Sequence, residues 1–519
     1  MSTKRIALNV VATYAQTAVS LVVGLFCSRW VYNALGETQF GLFSVVGSLI
    51  AFIAILNGTL IGSSSRFFAY ALGQQRRPNA DKELLCKWFN TALSVQVIMP
   101  VVLVVIGGPI GVYAIKYILN IPDDLRQSCV YIFYFSLFSM FNAMIFSPVQ
   151  ALYHAKQYIF VRNLFGIFNT FFFAAEGWWL LHYTGNRLIA HAAVTTTLMF
   201  LSNIAFAAIA YKQFPEARIR LKYWFDKVRL KEVFSYASFT LFGELGALFS
   251  SSGVAVVLNK FFGPTANAAM GIGNQVYQKT AVFSQAVNGA ISPELTARVG
   301  AGKLENAKRL AQRVCIYSSV LGLVVAVPFI VYSEEVLILW LKHPPEFAAQ
   351  ITVVMMLNLF VDRLTAGYMM LVHASGRIKV YITCLGIANG GRCLMVLLLL
   401  LGGIPLIITL WLGWFFPFLI ITQARVWFAR RVVGVSIRQY VKKVLIPLLI
   451  MAVASVAFTF SFKFFIGTTV LAILLCGALN VGFVGVLMWV LIGADERKVI
   501  ASKMGSAYNR LTKAIVRAN

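Results

Sequence analysis

Charged side chains interrupt the apolar segments of this chain, and they are the groups best placed to do chemistry. The cations are Arg29, Lys279, Arg363 and Arg392, with Arg66 at the inner end of the second apolar segment, and the acids are Glu176, Glu244 and Asp362. A charged side chain at mid-bilayer costs roughly 2.5–3.5 kcal/mol. We therefore expect these residues to face protein or a wet cavity.

The cations predict a site for an anionic group, because the planar arginine fork matches phosphate oxygens. Lys279, Arg363 and Arg392 lie mid-span, which favours a cavity lining over an internal ion pair such as Lys279 with Glu244. Arg29 is equally consistent with a side chain that reaches the outer interface, and Arg66 with an ordinary cytoplasmic-side cation.

The acids are candidates for coupling transport to H⁺ or Na⁺, although Glu176 is equally consistent with a buried structural acid. Asp362 and Arg363 are adjacent on one helix, about 100° apart around its axis, so we expect that they do not neutralise each other.

A polar stripe runs along one face of the apolar stretch 262–307. It contains Asn274, Gln278, Gln285 and Asn288, spaced by three, four or seven residues. Such spacing keeps side chains on one helical face. Amides suit a hydroxyl-rich cargo, so a lipid diphosphate carrying an oligosaccharide fits both the amides and the cations.

Composition places these residues in an all-α polytopic membrane protein. Of the 519 residues, 59% are hydrophobic and 12% are charged, against about 25% charged in soluble proteins. The net charge of +27 falls mostly in alternate loops, which predicts cytoplasmic N and C termini and no nucleic-acid partner.

Fourteen transmembrane helices are expected. An internal sequence similarity, which we call the internal echo, groups them as six, six and two. Residues 35–80 align without a gap on 262–307, with Gly36 meeting Gly263 and Thr38 meeting Thr265. We read this as a duplication that gives two parallel repeats. The predicted parts are an N-lobe at 1–211, a basic linker at 212–232 suited to an anionic membrane surface, a C-lobe at 233–430, two extra helices within 443–492, and a basic tail at 493–519.

Catalytic and metal-binding motifs are missing from the sequence. It has no paired-cysteine, P-loop, G-x-S-x-G or H-E-x-x-H motif. We therefore expect no enzyme activity, no metal and no cofactor.

The chain resembles the multidrug/oligosaccharidyl-lipid/polysaccharide exporter superfamily, and within it the Wzx-type flippases of O-antigen and polysaccharide repeat units. The resemblance lies in Arg29 followed by Gly36-Glu37-Thr38-Gln39-Phe40-Gly41-Leu42, in Ser63-Ser64-Ser65-Arg66, and in the duplicated His154-Ala155 and His373-Ala374. It implies a bacterial inner-membrane flippase for undecaprenyl-diphosphate-linked glycans. It also implies two lobes in a V around a cationic cavity, contact with glycan polymerase machinery, and a lipid-tail groove formed by spans at about 443–464 and 468–492.

Several alternatives stay open on sequence. A lipid II flippase is the nearest of them, followed by a drug/cation antiporter of the same fold. A glycan polymerase or ligase would need large outer loops with catalytic residues, and a channel or scaffold would not explain the duplicated halves.

Overall fold

The structure is a computed structural model, and it describes residues 3–75, 81–156, 158–233, 246, 248–300, 302–375, 379–491 and 497. Within these ranges the chain contains helices and no strand. This follows from the apolar composition, because a helix satisfies its own backbone hydrogen bonds where no water can.

The main helices are numbered α1 to α15 in chain order. They are α1 Thr3–Gln74, α2 Leu84–Tyr113, α3 Asp123–Ile145, α4 Ser147–Ala155, α5 Ile159–His182, α6 Arg187–Gln213, α7 Val254–Gly300, α8 Leu304–Val331, α9 Ser333–Leu341, α10 Ala348–Arg363, α11 Ala366–Ala374, α12 Lys379–Leu401, α13 Phe416–Val433, α14 Ile446–Ile466 and α15 Val470–Leu491.

The chain is a multi-pass membrane protein. Over the described ranges, ten helices are long and apolar enough to span a bilayer, and the bent pair α10 and α11 would make an eleventh. Neither α7, which carries the predicted polar stripe, nor residues 234–245, which lie outside the described ranges, is among the ten. The count of fourteen stays a prediction.

Two glycines break the long helices α1 and α7 at equivalent positions. Gly36 has φ 72° and ψ 174°, and Gly263 has φ 70° and ψ −164°. This region of backbone space is open almost only to glycine. The two positions are the aligned pair of the internal echo, so the backbone supports the duplication.

Gly41, the second glycine of the motif that begins at Gly36, lies where α1 and α7 approach closely. A Cβ at Gly41 would lie 1.9 Å from the backbone oxygen of Pro264, which follows the break in α7. The two breaks therefore lie against each other, and only a residue without a side chain allows this approach.

A second pair of breaks follows the same repeat. α3 gives way to the nine-residue α4, and α10 gives way to the nine-residue α11, with a bend of 48° between α10 and α11. Both short helices end in the His-Ala pair noted in the sequence. The second break places Asp362 and Arg363 at a helix end.

The chain divides into two compact units. Unit 1 comprises Met1–Ile272, Trp340–Ala348 and Ile382–Thr409, and unit 2 comprises Gly273–Leu339, Ala349–Tyr381 and Leu410–Asn519. These units do not follow the predicted lobe boundaries of 1–211 and 233–430, which stay a prediction.

In unit 2, α14 and α15 are fastened to neighbouring helices by polar contacts. The Ser455 hydroxyl donates to Asn480 Oδ1 at 2.6 Å, and Asn480 Nδ2 donates to the Val324 carbonyl at 3.3 Å. The Lys463 ammonium pairs with Glu335 at 2.6 Å and donates to the Val331 carbonyl at 2.9 Å. The last two helices are therefore an integral part of unit 2.

Candidate functional site

The strongest charge cluster of unit 2 joins the end of α10 to α13. Arg425 Nη1 donates to Asp362 Oδ1 at 2.7 Å, and Arg363 Nη2 pairs with Asp362 Oδ2 at 3.1 Å. Arg425 Nη1 also lies 3.5 Å from the Thr365 hydroxyl. One carboxylate thus bridges two guanidinium groups; we call Asp362, Arg363 and Arg425 the triad.

The triad corrects two sequence-based expectations. Asp362 and Arg363 do pair, because the long arginine side chain folds back at a helix end, where no next turn fixes its direction. The site cations expected from the sequence do not include Arg425, yet it is buried within α13. Its position inside an apolar segment was the available signal.

The triad carries one uncompensated positive charge in a buried setting. Arg363 and Arg425 are 6% and 7% exposed. The Nε atoms of both arginines have no hydrogen-bond partner within the described part of the chain. Arg363 also hydrogen-bonds the Tyr277 side chain of α7. Buried donors without acceptors are costly, so the triad retains capacity for an anionic ligand.

The predicted polar stripe on α7 is only partly visible. Asn274 and Gln278 are exposed one turn apart, and Lys279 and Asn288 are half-buried. The side chain of Gln285 lies outside the described part. Tyr277, on the same helix, connects this stretch to the triad.

Two of the remaining predicted cations, Arg29 and Arg392, belong to unit 1. Arg392 is 4% exposed, and its Nη1 donates to the Ser250 hydroxyl at 2.7 Å. Arg29 is half-buried. The Arg66 side chain and the whole of Glu244 lie outside the described residues.

Unit 1 holds a second titratable pair. Glu176 Oε1 lies 2.8 Å from His191 Nδ1, and the two side chains are 1% and 9% exposed. The other carboxylate oxygen, Oε2, has no hydrogen-bond partner among the described residues. His191 also packs on the Phe43 ring, with 4.7 Å between ring centroids.

His191 was missed as a partner of Glu176, although the sequence held a signal. Glu176 precedes the end of α5 by two turns, and His191 follows the start of α6 by one. The loop between the two helices is short. In such an antiparallel hairpin, residues at similar distances from the turn lie level with each other.

A cavity with a mixed apolar and polar lining lies near His191, although neither Glu176 nor His191 lines it. Its volume is about 350 Å³ and its lining is Phe43, Gly47, Ile50, Asn57, Ser136, Ser139, Met140, Ala143, Ala192, Thr195 and Thr196. Phe43 contacts the His191 ring, and the Thr195 hydroxyl donates to the His191 carbonyl at 2.6 Å. Asn57 Oδ1 is buried there without a partner among the described residues. The cavity is large enough and polar enough to hold several waters.

Within the described ranges, no group of His, Cys, Asp or Glu is arranged to hold a metal ion. The two clusters of buried charged or titratable side chains described above are the triad of unit 2 and the Glu176–His191 pair of unit 1.

Comparison with known proteins concerns the family and the fold. The MatE family model matches residues 240–396. No curated protein matches the chain in sequence.

Three solved structures are similar in fold. An inward-facing multidrug resistance MATE family transporter of the MOP superfamily is 13% identical, with a TM-score of 0.66 over 80% of this chain and 94% of its own. A MOP superfamily transporter from Pyrococcus furiosus, described as having a binding pocket of reversed polarity, is 14% identical, with a TM-score of 0.62 over 83% and 96%. The lipid II flippase MurJ in an inward closed conformation is 13% identical, with a TM-score of 0.60 over 93% and 99%. The chain therefore has the transporter fold that MATE proteins and MurJ share.

Proposed function

We propose that this protein is a flippase for lipid-linked oligosaccharides, with an undecaprenyl diphosphate carrier, in a bacterial inner membrane. The observation that carries the proposal is the triad: two buried arginines share one carboxylate, and each keeps an Nε donor free of partners among the described residues. The fold supports a transporter, and the charge supports an anionic cargo.

The diphosphate is the part of the cargo that the triad suits. Arginine recognises phosphate oxygens through two parallel N–H groups, and a diphosphate offers oxygens to two such forks. Arg363 and Arg425 are the residues we assign to it first. Lys279, Arg29, Arg66 and Arg392 are further cations that the cargo meets along its path.

The glycan and the lipid tail are assigned to neighbouring elements. Asn274 and Gln278 are exposed on α7 and offer both donors and acceptors to sugar hydroxyls. α14 and α15 keep apolar side chains exposed, including Val453 and Leu471. Exposed apolar faces on membrane helices suit acyl or prenyl chains.

Proton coupling is assigned to the Glu176–His191 pair. Glu176 is a buried carboxylate whose Oε2 has no partner among the described residues, and a cavity lined by Phe43 and Thr195 lies near its partner His191. We therefore assign proton uptake and release to this pair. Asp362 already bridges two arginines, so we do not assign proton coupling to it first. Na⁺ in the same cavity is the alternative coupling ion, and Glu244 stays a further candidate.

A lipid II flippase is the second candidate function. The MurJ match covers 93% of this chain, whereas the MATE transporter match covers 80%. The broader match favours a lipid-linked cargo over a drug or free cation. The glycan decides between the two flippase functions.

The test is complementation of a strain that lacks its own repeat-unit flippase. Arg425→Gln and Arg363→Gln are expected to abolish surface glycan at normal expression. Lys463→Gln, which removes one half of the Lys463–Glu335 ion pair of unit 2, is the matched control and is expected to retain surface glycan. Full activity of both arginine variants would refute the proposed site. Complementation of a lipid II flippase mutant instead would select the second candidate.

A further inference from the structure

The segment that links α6 to the second half of the chain is bound to α2 in unit 1. Asn90 Nδ2 donates to the Arg218 carbonyl at 3.0 Å, and the Arg220 amide donates back to Asn90 Oδ1 at 2.6 Å. The Thr91 hydroxyl donates to the Tyr223 carbonyl at 3.0 Å. These contacts make the linker a fixed structural element, not a loose tether.

Further contacts set which side of the linker faces the helices. The Ser94 hydroxyl donates to the Trp224 carbonyl at 2.7 Å. At the start of α2, Glu83 accepts hydrogen bonds from Arg220 and from the Tyr223 hydroxyl, at 2.6 Å and 2.5 Å. Asn90, Thr91 and Ser94 are fully buried by this packing.

The opposite side of the linker is apolar and unpacked. Leu221, Phe225 and Val228 are 69–70% exposed, and Ile219 is also exposed. A run of such large exposed side chains at a fixed surface is unusual unless another phase or partner covers it. We call Ile219, Leu221, Phe225 and Val228 the outer face.

The charges around the outer face are predominantly basic. Arg218, Lys222 and Lys227 are exposed, and none of them forms an ion pair within the described part of the chain. Two of the nearby acids are engaged elsewhere: Glu216 pairs with Lys156 at 2.8 Å, and Asp226 with Arg229 at 2.9 Å. The third, Glu232, is exposed one turn after Val228. The outer face therefore combines apolar side chains with uncompensated cations.

The position of the linker indicates what covers the outer face. α6 ends at Gln213 and α2 begins at Leu84, and the linker packs on the first turns of α2. It therefore lies at the level where spans leave the bilayer. Apolar side chains ringed by cations at this depth match a leaflet with anionic headgroups.

We propose that the outer face of residues 218–228 binds the anionic phospholipids of the leaflet at which α2 begins. The apolar side chains enter the acyl boundary, and Arg218, Lys222 and Lys227 bind the headgroup phosphates. This site is separate from the triad, and it does not depend on the identity of the transported cargo.

Photo-crosslinking in the full-length protein tests this site. A photoreactive p-benzoylphenylalanine replaces Phe225, and the protein is placed in nanodiscs of phosphatidylcholine containing a minor fraction of phosphatidylglycerol. The same probe in place of Phe465, an 81% exposed residue near the C-terminal end of α14, is the matched control. Crosslinked lipids are identified by mass spectrometry.

At Phe225 we expect phosphatidylglycerol to be enriched over its bulk fraction by about fivefold for each basic side chain that contributes. At Phe465 we expect the bulk ratio. The double substitution Lys222→Glu and Lys227→Glu is expected to return the Phe225 probe to the bulk ratio, as is high salt, which screens exposed charges.

Three outcomes would overturn the proposal: a bulk lipid ratio at Phe225 in the parent protein, an enrichment unaffected by charge reversal, or crosslinks to protein instead of lipid. Transport activity is not part of the readout. Failure of the flippase assignment and failure of this site are therefore distinguishable.

Discussion

Arg425 of α13 donates a hydrogen bond of 2.7 Å to Asp362 of α10, across 63 residues of sequence. The second oxygen of the same carboxylate forms an ion pair with Arg363. This bridge fastens α13 to the break between α10 and α11, and it leaves one positive charge over. The bridge between the two helices and the proposed anion site thus share Asp362.

Removal of the Asp362 carboxylate is expected to destabilise the protein strongly. Asp362→Ala leaves two buried guanidinium groups facing each other, and breaking a buried ion pair costs about 3–5 kcal/mol. The thermal unfolding temperature in detergent should fall well below that of the parent. The double variant Asp362→Leu with Arg425→Met should recover much of the loss, and an unfolding temperature as low as that of the single variant would contradict this account.

Glu176→Gln is expected to uncouple transport from the proton gradient. The amide keeps the hydrogen bond to His191 but cannot take up a proton in this pH range. Flipping in proteoliposomes should lose its dependence on an imposed pH difference, while the unfolding temperature stays close to that of the parent. Glu294→Gln, which replaces an exposed acid of α7 paired with Arg298, is the control. An undiminished pH response in Glu176→Gln would reject the assignment.

The two helix breaks predict that three glycine substitutions lower the free energy of unfolding by different amounts. Gly263→Ala should cost about 1–3 kcal/mol, because its φ of 70° and ψ of −164° lie in a region open almost only to glycine. Gly41→Ala should cost more, because the new methyl group would lie 1.9 Å from the Pro264 oxygen. Gly58→Ala, with nothing within 4 Å of its Cβ position, should be neutral or should gain up to about 1 kcal/mol in a helix. Equal unfolding temperatures for the three variants would argue against the described breaks.

The positions of the two glycine breaks could be predicted from the sequence, but the triad could not. The aligned pair Gly36 and Gly263 was visible in the sequence because duplication preserves spacing. Arg425 was hidden because a cation near a predicted inner helix end looks the same as a topology signal. The pairing of Asp362 with Arg363 depends on side-chain reach at a helix end, which helical periodicity does not describe.

The contact between the linker and α2 is expected to weaken in acid. The Tyr223 hydroxyl and then the Arg220 guanidinium hold the pKa of the Glu83 carboxyl below its usual range. A lowered pKa in the folded state means that this contribution is present above the ordinary carboxyl range, and that it is lost as the pH falls through the lowered value.

Hydrogen exchange of peptides from residues 214–230 measures this contact. Protection of these amides relative to the unfolded chain should be constant from pH 7 to pH 5. It should decrease at pH values below 5. Glu83→Gln should reduce protection at pH 7 and remove most of its pH dependence. The same acid-induced loss in Glu83→Gln would mean that another group controls the linker.

The affinity for a lipid diphosphate across a charge series tests the central claim most directly. Native mass spectrometry of folded protein measures binding of undecaprenyl diphosphate to the parent, to Arg425→Gln and to Asp362→Asn. These carry a singly positive, a neutral and a doubly positive triad. If the arginines bind the diphosphate, affinity should fall about tenfold or more in Arg425→Gln, because a charge-assisted hydrogen bond is lost, and it should be equal or higher in Asp362→Asn. Equal affinity in all three proteins, or the same loss in both variants, would contradict the account.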